Sequence, residues 1–267
     1  MNEALTQLLQ ASQDALFLGF VILLRVGGLV GLAPGFGEST LPARIKTVVA
    51  LGFAVLLMPA MASELAPLRA RTGVPLWMLF EIVTGVFLGL GLRAFIFALQ
   101  VAGTVAAQAT SLSQLLGGMG GMGGMGGMGG EPQPAIGNLL VVAGVALLMQ
   151  MGFHVHLAEF ILGSYRVIPA GALPDAQSFQ DWGLAGITKA FSLAFMIAAP
   201  FVMTGLIYNV ALGAINRAMP QLMVAFVGAP ALTAGGLMLL AITLPGGIIV
   251  WREAVIAFLL NPFTVAP

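Results

Sequence analysis

Residues 75–109 read PLWMLFEIVTGVFLGLGLRAFIFALQVAGTVAAQA, and over that whole stretch only Glu81 and Arg93 carry charge. A membrane helix needs about 20 apolar residues. As helix this run measures about 52 Å at 1.5 Å per residue, well beyond a hydrocarbon core of about 30 Å. Five further apolar stretches flank it, at roughly 15–34, 47–63, 135–163, 187–215 and 222–250. The first two are near the length of one span. The last three, like 75–109, are overlong, which requires tilt, breaks, or a course partly outside lipid. Pro59, Pro200, Pro230 and Pro245 fall inside or near the ends of these runs. Each removes an intrahelical hydrogen bond and favours a kink, so breaks are expected there. The expected fold is all-α and membrane-associated, with about six long, kinked, apolar helices.

Composition agrees. The 267 residues are 59% apolar and 7% charged, against about 25% charged in soluble domains. Net charge is zero and aromatics make up 8%, so neither a basic surface nor basic–aromatic interleaving points to nucleic acid. The absence of cysteine excludes disulfides, thiolate metal sites and a cysteine nucleophile. Glu3 and Asp14 precede the first basic residue, Arg25. A signal peptide wants a positive n-region, so the first helix is expected to be retained. If all six stretches were simple spans, Arg69, Arg71, Arg166, Lys189 and Arg252 would share one side, and Arg44, Lys46 and Arg217 the other. That split is too even to orient the chain.

Three charges, Arg25, Glu81 and Arg93, lie inside apolar runs. An arginine at the bilayer centre costs roughly 2.5–3.5 kcal/mol on insertion scales, so each must face protein or water. They line a polar conduit, pair between subunits, form a structural ion pair, or snorkel from a helix end. Glu81 and Arg93 are about 18 Å apart along one helix and cannot pair with each other. In HVHLAE, His154 and His156 diverge by about 200°. Only His156 and Glu159 are helical neighbours, which suits a local hydrogen-bonded pair better than a metal site. Gly85 and Gly89, one turn apart, and likewise Gly27 and Gly31, read as small residues for close helix packing. No dinucleotide fingerprint, P-loop, nucleophile elbow or zinc-protease motif is present, and neither an enzyme nor a cofactor is expected.

Residues 117–130, GGMGGMGGMGGMGG, hold only glycine and the methionines Met119, Met122, Met125 and Met128. Glycine loses the most entropy on ordering, and four methionines bury too little surface to offset it. The tract is a flexible linker, a soft thioether site for copper(I), or a deformable seal. Methionine re-packs without fixed geometry, and glycine bends either way, so the seal fits the composition best.

LAPGFGESTLPARIK, with Pro34, Phe36, Pro42, Arg44 and Lys46, resembles the first loop of the FliR family of flagellar export proteins. IYNVALGAINRAMPQLMVAFVGAP, with Gly213, Asn216, Arg217, Pro220, Gln221, Gly228 and Pro230, resembles that family's most characteristic segment. GFHVHLAEFILGSYRVIPAG resembles the segment after its fourth helix. The pieces are spaced as in the family over essentially the whole chain. The related injectisome subunits of the SctT type are similar, but VGAPALTAGG looks more flagellar. The resemblance implies a subunit of the type III secretion export gate. It would assemble with FliP and FliQ, beside FlhB and FlhA, in the bacterial inner membrane at the flagellar basal body. There it would pass unfolded flagellar proteins through a pore. It also implies a FliP-like unit over 1–183 and a FliQ-like helical hairpin over 184–267. By position, the loop at about 110–131, with Leu115, Leu116 and the four methionines, would be the plug, although the Gly/Met repeat is not a general family feature. The other reading of the chain is an ion or small-molecule channel or transporter with Arg25, Glu81 and Arg93 lining its route.

Overall fold

The computed structural model describes residues 2–65, 67–68, 76–110, 135–172, 175–219 and 224–262. Among the described residues the regular structure is helical, as the composition requires. Among the described residues seven α-helices follow one another: α1 (Asn2–Val30), α2 (Ala43–Leu65), α3 (Leu76–Ala109), α4 (Ala135–Gln150), α5 (Phe153–Val167), α6 (Ala176–Ala218) and α7 (Val224–Leu260). Five segments, within α1, α2, α3, α6 and α7, are long and apolar enough to cross a membrane, and α4 with α5 makes a sixth if the bent pair counts as one span. The chain is therefore an all-α membrane protein.

The breaks do not fall where the prolines stand. Pro59 lies inside α2, Pro200 inside α6, and Pro230 and Pro245 inside α7. One missing N–H is tolerated in long apolar helices, where neighbouring groups re-satisfy the freed carbonyl. The sharp bend, 79°, comes instead between α4 and α5. Gly152 takes φ 75° and ψ 37° there, and its N–H donates to the Met149 carbonyl at 3.2 Å. That is a left-handed glycine closing one helix, and the same residue opens the next. The expected single stretch 135–163 is thus two short helices of about 24 and 22 Å.

Two compact units make up the chain, and neither is continuous in sequence. One comprises residues 1–93, 149–185 and 257–267. In it α1 lies against α3 so closely that glycine is required. A methyl on Gly85 would overlap the Arg25 carbonyl oxygen, and a Cβ on Gly28 would sit 2.9 Å from the Ile82 carbonyl. Gly89 meets the Leu29 carbonyl in the same way. The Gly85 and Gly89 expectation holds. On α1, however, Gly28 makes the contact: Gly27 faces open space, and Gly31 meets only its own helix. Phe87, Phe179, Trp182 and Phe258 form an aromatic cluster in this unit. The Trp182 indole donates to the Pro262 carbonyl at 2.6 Å, which ties down the end of α7.

The other unit comprises residues 94–148 and 186–256. Trp251 of α7 is fully buried and donates from Nε1 to the Phe95 carbonyl of α3 at 2.8 Å. Gly103 and Gly137 bring α3 and α4 together. Within the same unit α6 and α7 form an antiparallel pair: Gly247 faces Ile197, and the Tyr208 hydroxyl donates to the Gly228 carbonyl. Residue 183 falls inside α6, seven positions after its first residue, Ala176.

Candidate functional site

Arg25 and Glu81 are both completely buried. Each lies within an apolar stretch of its helix, and they meet because Gly28 and Gly85 let α1 and α3 approach. The guanidinium grips the carboxylate with two bonds, Nε to Oε2 at 2.8 Å and Nη2 to Oε1 at 3.1 Å. This is the fork geometry that only arginine presents. Nη2 also donates to the Ile168 carbonyl at 3.1 Å, and Nη1 to Ser164 Oγ at 3.2 Å. Ser164 Oγ in turn donates to the Ile161 carbonyl at 2.7 Å. The Tyr165 ring lies under the guanidinium, 3.8 Å from centroid to Cζ, a cation–π contact in a dry setting. Glu81 Oε1 further accepts from the Gly171 N–H at 2.7 Å. Four bonds from Arg25 and three to Glu81 make this a satisfied ion pair, the arrangement in which buried charge is tolerated.

Arg93 stands elsewhere. Its Nη1 bonds Glu38 Oε1 at 3.1 Å, with both side chains partly exposed. Glu38 belongs to the loop between α1 and α2, where Lys46 also donates to the Gly37 carbonyl at 3.0 Å. Phe36 of that loop sits edge-on to Phe53, 6.1 Å away, and is stacked with Phe153 at 6.2 Å. Pro34 is buried beside it, while Pro42 and Arg44 are exposed. Asn216 and Arg217 are exposed in the last turn of α6. His156 Nδ1 lies 3.5 Å from Glu159 Oε2, so these two are neighbours as their spacing requires. Leu115, Leu116, Met119, Met122, Met125, Met128, Pro220 and Gln221 lie outside the described residues.

The structure thus brings Arg25 and Glu81 together and leaves Arg93 in a separate pair. Ser164, Tyr165, Ile168 and Gly171 were not legible as their partners. The available signal was two opposite charges, each within an apolar stretch of a different helix. The backbone groups that complete the site give no sequence signal at all.

Residues 16–257 match the family of bacterial export proteins, family 1. The chain belongs to this family. This family 1 export protein is 28% identical over 244 residues to the flagellar biosynthetic protein FliR of Caulobacter vibrioides, covering 91% of the chain and 94% of that relative. It is 26% identical over 230 residues to FliR of Escherichia coli, covering 84% and 82%. With FliR of Aquifex aeolicus it shares 27% over 219 residues, 79% of each. The matched span takes in both Arg25 and Glu81, and it runs across α2 to α6 and into the last turns of α7.

Proposed function

We propose that this chain is a structural, pore-forming subunit of the flagellar type III protein export gate. It acts in the inner membrane at the flagellar basal body and passes unfolded flagellar subunits out of the cytoplasm. The observation that carries this reading is the family match over residues 16–257, joined by relatives that are all named FliR. The partners are FliP and FliQ in the gate core, with FlhA and FlhB beside them. Residues 1–183 correspond to a FliP-like unit and 184–267 to a FliQ-like hairpin, a division supported by the antiparallel pairing of α6 with α7. The chain does no covalent chemistry.

The lengths of the helices support an assembly. Exposed large apolar side chains run along α6 from Leu184 to Ile215, a course of about 46 Å. A bilayer covers about 30 Å of that, and neighbouring helices of similar character must cover the rest. Asn216 and Arg217, exposed at the end of this helix, belong to that covered surface.

The loop at about 110–131 is the plug. Its methionines close the pore against ions and yield to a passing polypeptide. Co-purification tests the assembly: the chain isolates with FliP and FliQ, and isolation as a self-contained, transport-active homo-oligomer refutes the reading. Deleting 117–130 tests the plug. Assembly remains intact while ion leakage through the gate rises, and unchanged conductance counts against the seal.

A further inference from the structure

After α5 comes a tight turn, and the buried ion pair holds it at two points, just before its first residue and at its third. The turn spans Pro169–Ala172 and is closed by the Ala172 N–H donating to the Pro169 carbonyl at 3.1 Å. Gly171 sits at its third position with φ 73°, the left-handed conformation that such a turn reserves for glycine. Just before the turn, the Ile168 carbonyl accepts from Arg25 Nη2 at 3.1 Å. Inside it, the Gly171 N–H donates to Glu81 Oε1 at 2.7 Å. One member of the pair therefore takes a carbonyl, and the other takes an amide, from five consecutive residues.

The ion pair bridges α1 and α3, but the close contact of the two helices does not depend on it. That contact is made by backbone against backbone, at Gly28 with Ile82 and Val86, at Gly85 with Arg25, and at Gly89 with Leu29. An apolar pair in place of the charges would fill the same space, and such replacements in buried sites are often tolerated. What an apolar pair cannot supply is a partner for the Gly171 N–H and the Ile168 carbonyl, both in a buried setting where unpaired polar groups are costly. Arg25 is suited to the task because its planar fork reaches Glu81, Ser164 and Ile168 together, with the Tyr165 ring holding its plane. A lysine presents one point of charge and cannot span them.

We propose that the Arg25–Glu81 pair is a two-pronged clamp on the turn over residues 168–172, a conformational device that opens without undoing the α1–α3 contact. Arg25 and Glu81 are positioning residues in this sense. The inference stands on geometry within one compact unit and does not depend on the export reading.

Hydrogen–deuterium exchange on the full-length purified protein tests it, with the R25M/E81M double variant, which leaves no unpaired buried charge. Exchange at residues 168–172 accelerates at least tenfold, while residues 20–30 of α1 and 82–92 of α3 keep their protection. R25K, which keeps the charge but loses the fork, accelerates exchange at the same turn. Wild-type protection of the turn in the double variant overturns the clamp. So does equal acceleration along α1 and α3, and so does failure to recover the double variant folded, because either outcome makes the pair a brace for the whole unit. S164A leaves both prongs in place and changes exchange at the turn by less than threefold; a change as large as that in the double variant would assign the turn to the hydroxyl.

Discussion

At Gly85 the α3 backbone lies directly on the Arg25 carbonyl of α1, and there is no room for a methyl group. Gly85→Ala must push two helices apart, an overpacking cost of roughly 1–3 kcal/mol. Gly27, by contrast, has nothing within 4 Å of where its Cβ would be. Gly27→Ala in a helix interior is neutral or stabilises by about 0.4–1 kcal/mol. Thermal unfolding of the two variants in the same detergent checks the pair: the Gly85 variant melts below the parent protein, and the Gly27 variant at or above it. The spacing of Gly85 and Gly89 made them legible as packing glycines. It could not say whether Gly27 or Gly28 answers them, because the rotation of α1 about its axis is set by what it packs on. Trp251 gives a second residue-scale expectation. Trp251→Phe keeps most of the buried ring but loses the bond to the Phe95 carbonyl, which costs about 1–2 kcal/mol. A denaturant midpoint unchanged from the parent protein would contradict it.

Among the elements, the break between α4 and α5 is the least foreseeable. Proline is the usual helix breaker, yet four prolines sit within helices here and a glycine makes the 79° bend. In an apolar run proline removes one bond, whereas a residue at φ 75° reverses the local hand of the chain, and no helix continues through that. A side chain at position 152 is strained in this conformation by about 1–2 kcal/mol. Asparagine tolerates it better than alanine. Gly152→Ala therefore destabilises the protein more than Gly152→Asn, and reversal of that order in thermal melts would show that the bend is held by something other than the backbone of this residue. The cap was hidden in the sequence because Gly152 is one glycine among 36, and most of the others lie in helices or in the Gly/Met tract.

For the molecule as a whole, the telling quantity is apolar surface left over. Val48, Val55 and Leu56 on α2, and Leu206, Ile207 and Val210 on α6, are each more than half exposed. A membrane accounts for part of this surface, and under the export-gate reading protein neighbours cover the rest of α6. Arg217 is exposed in the last turn of that helix. Under the export-gate reading, Arg217→Ala weakens co-purification with FliP and FliQ while leaving the melting temperature of the isolated chain within about 0.5 kcal/mol equivalent of the parent, as expected for an exposed site. Normal co-purification of that variant would remove Arg217 from the interface.

The sequence by itself determined the class: apolar content and run length add up along the chain, and no folding is needed to read them. It also marked the charges that could not lie in lipid alone, and the family segments from Pro34 to Gln221. Only the tertiary structure decided that Arg25 pairs with Glu81, 56 positions away, that Arg93 pairs with Glu38, and that Gly28 rather than Gly27 faces α3. These are choices among partners, fixed by helix rotation and by backbone carbonyls and amides that every residue carries alike. A one-dimensional pattern holds the charges but not the angles at which they meet.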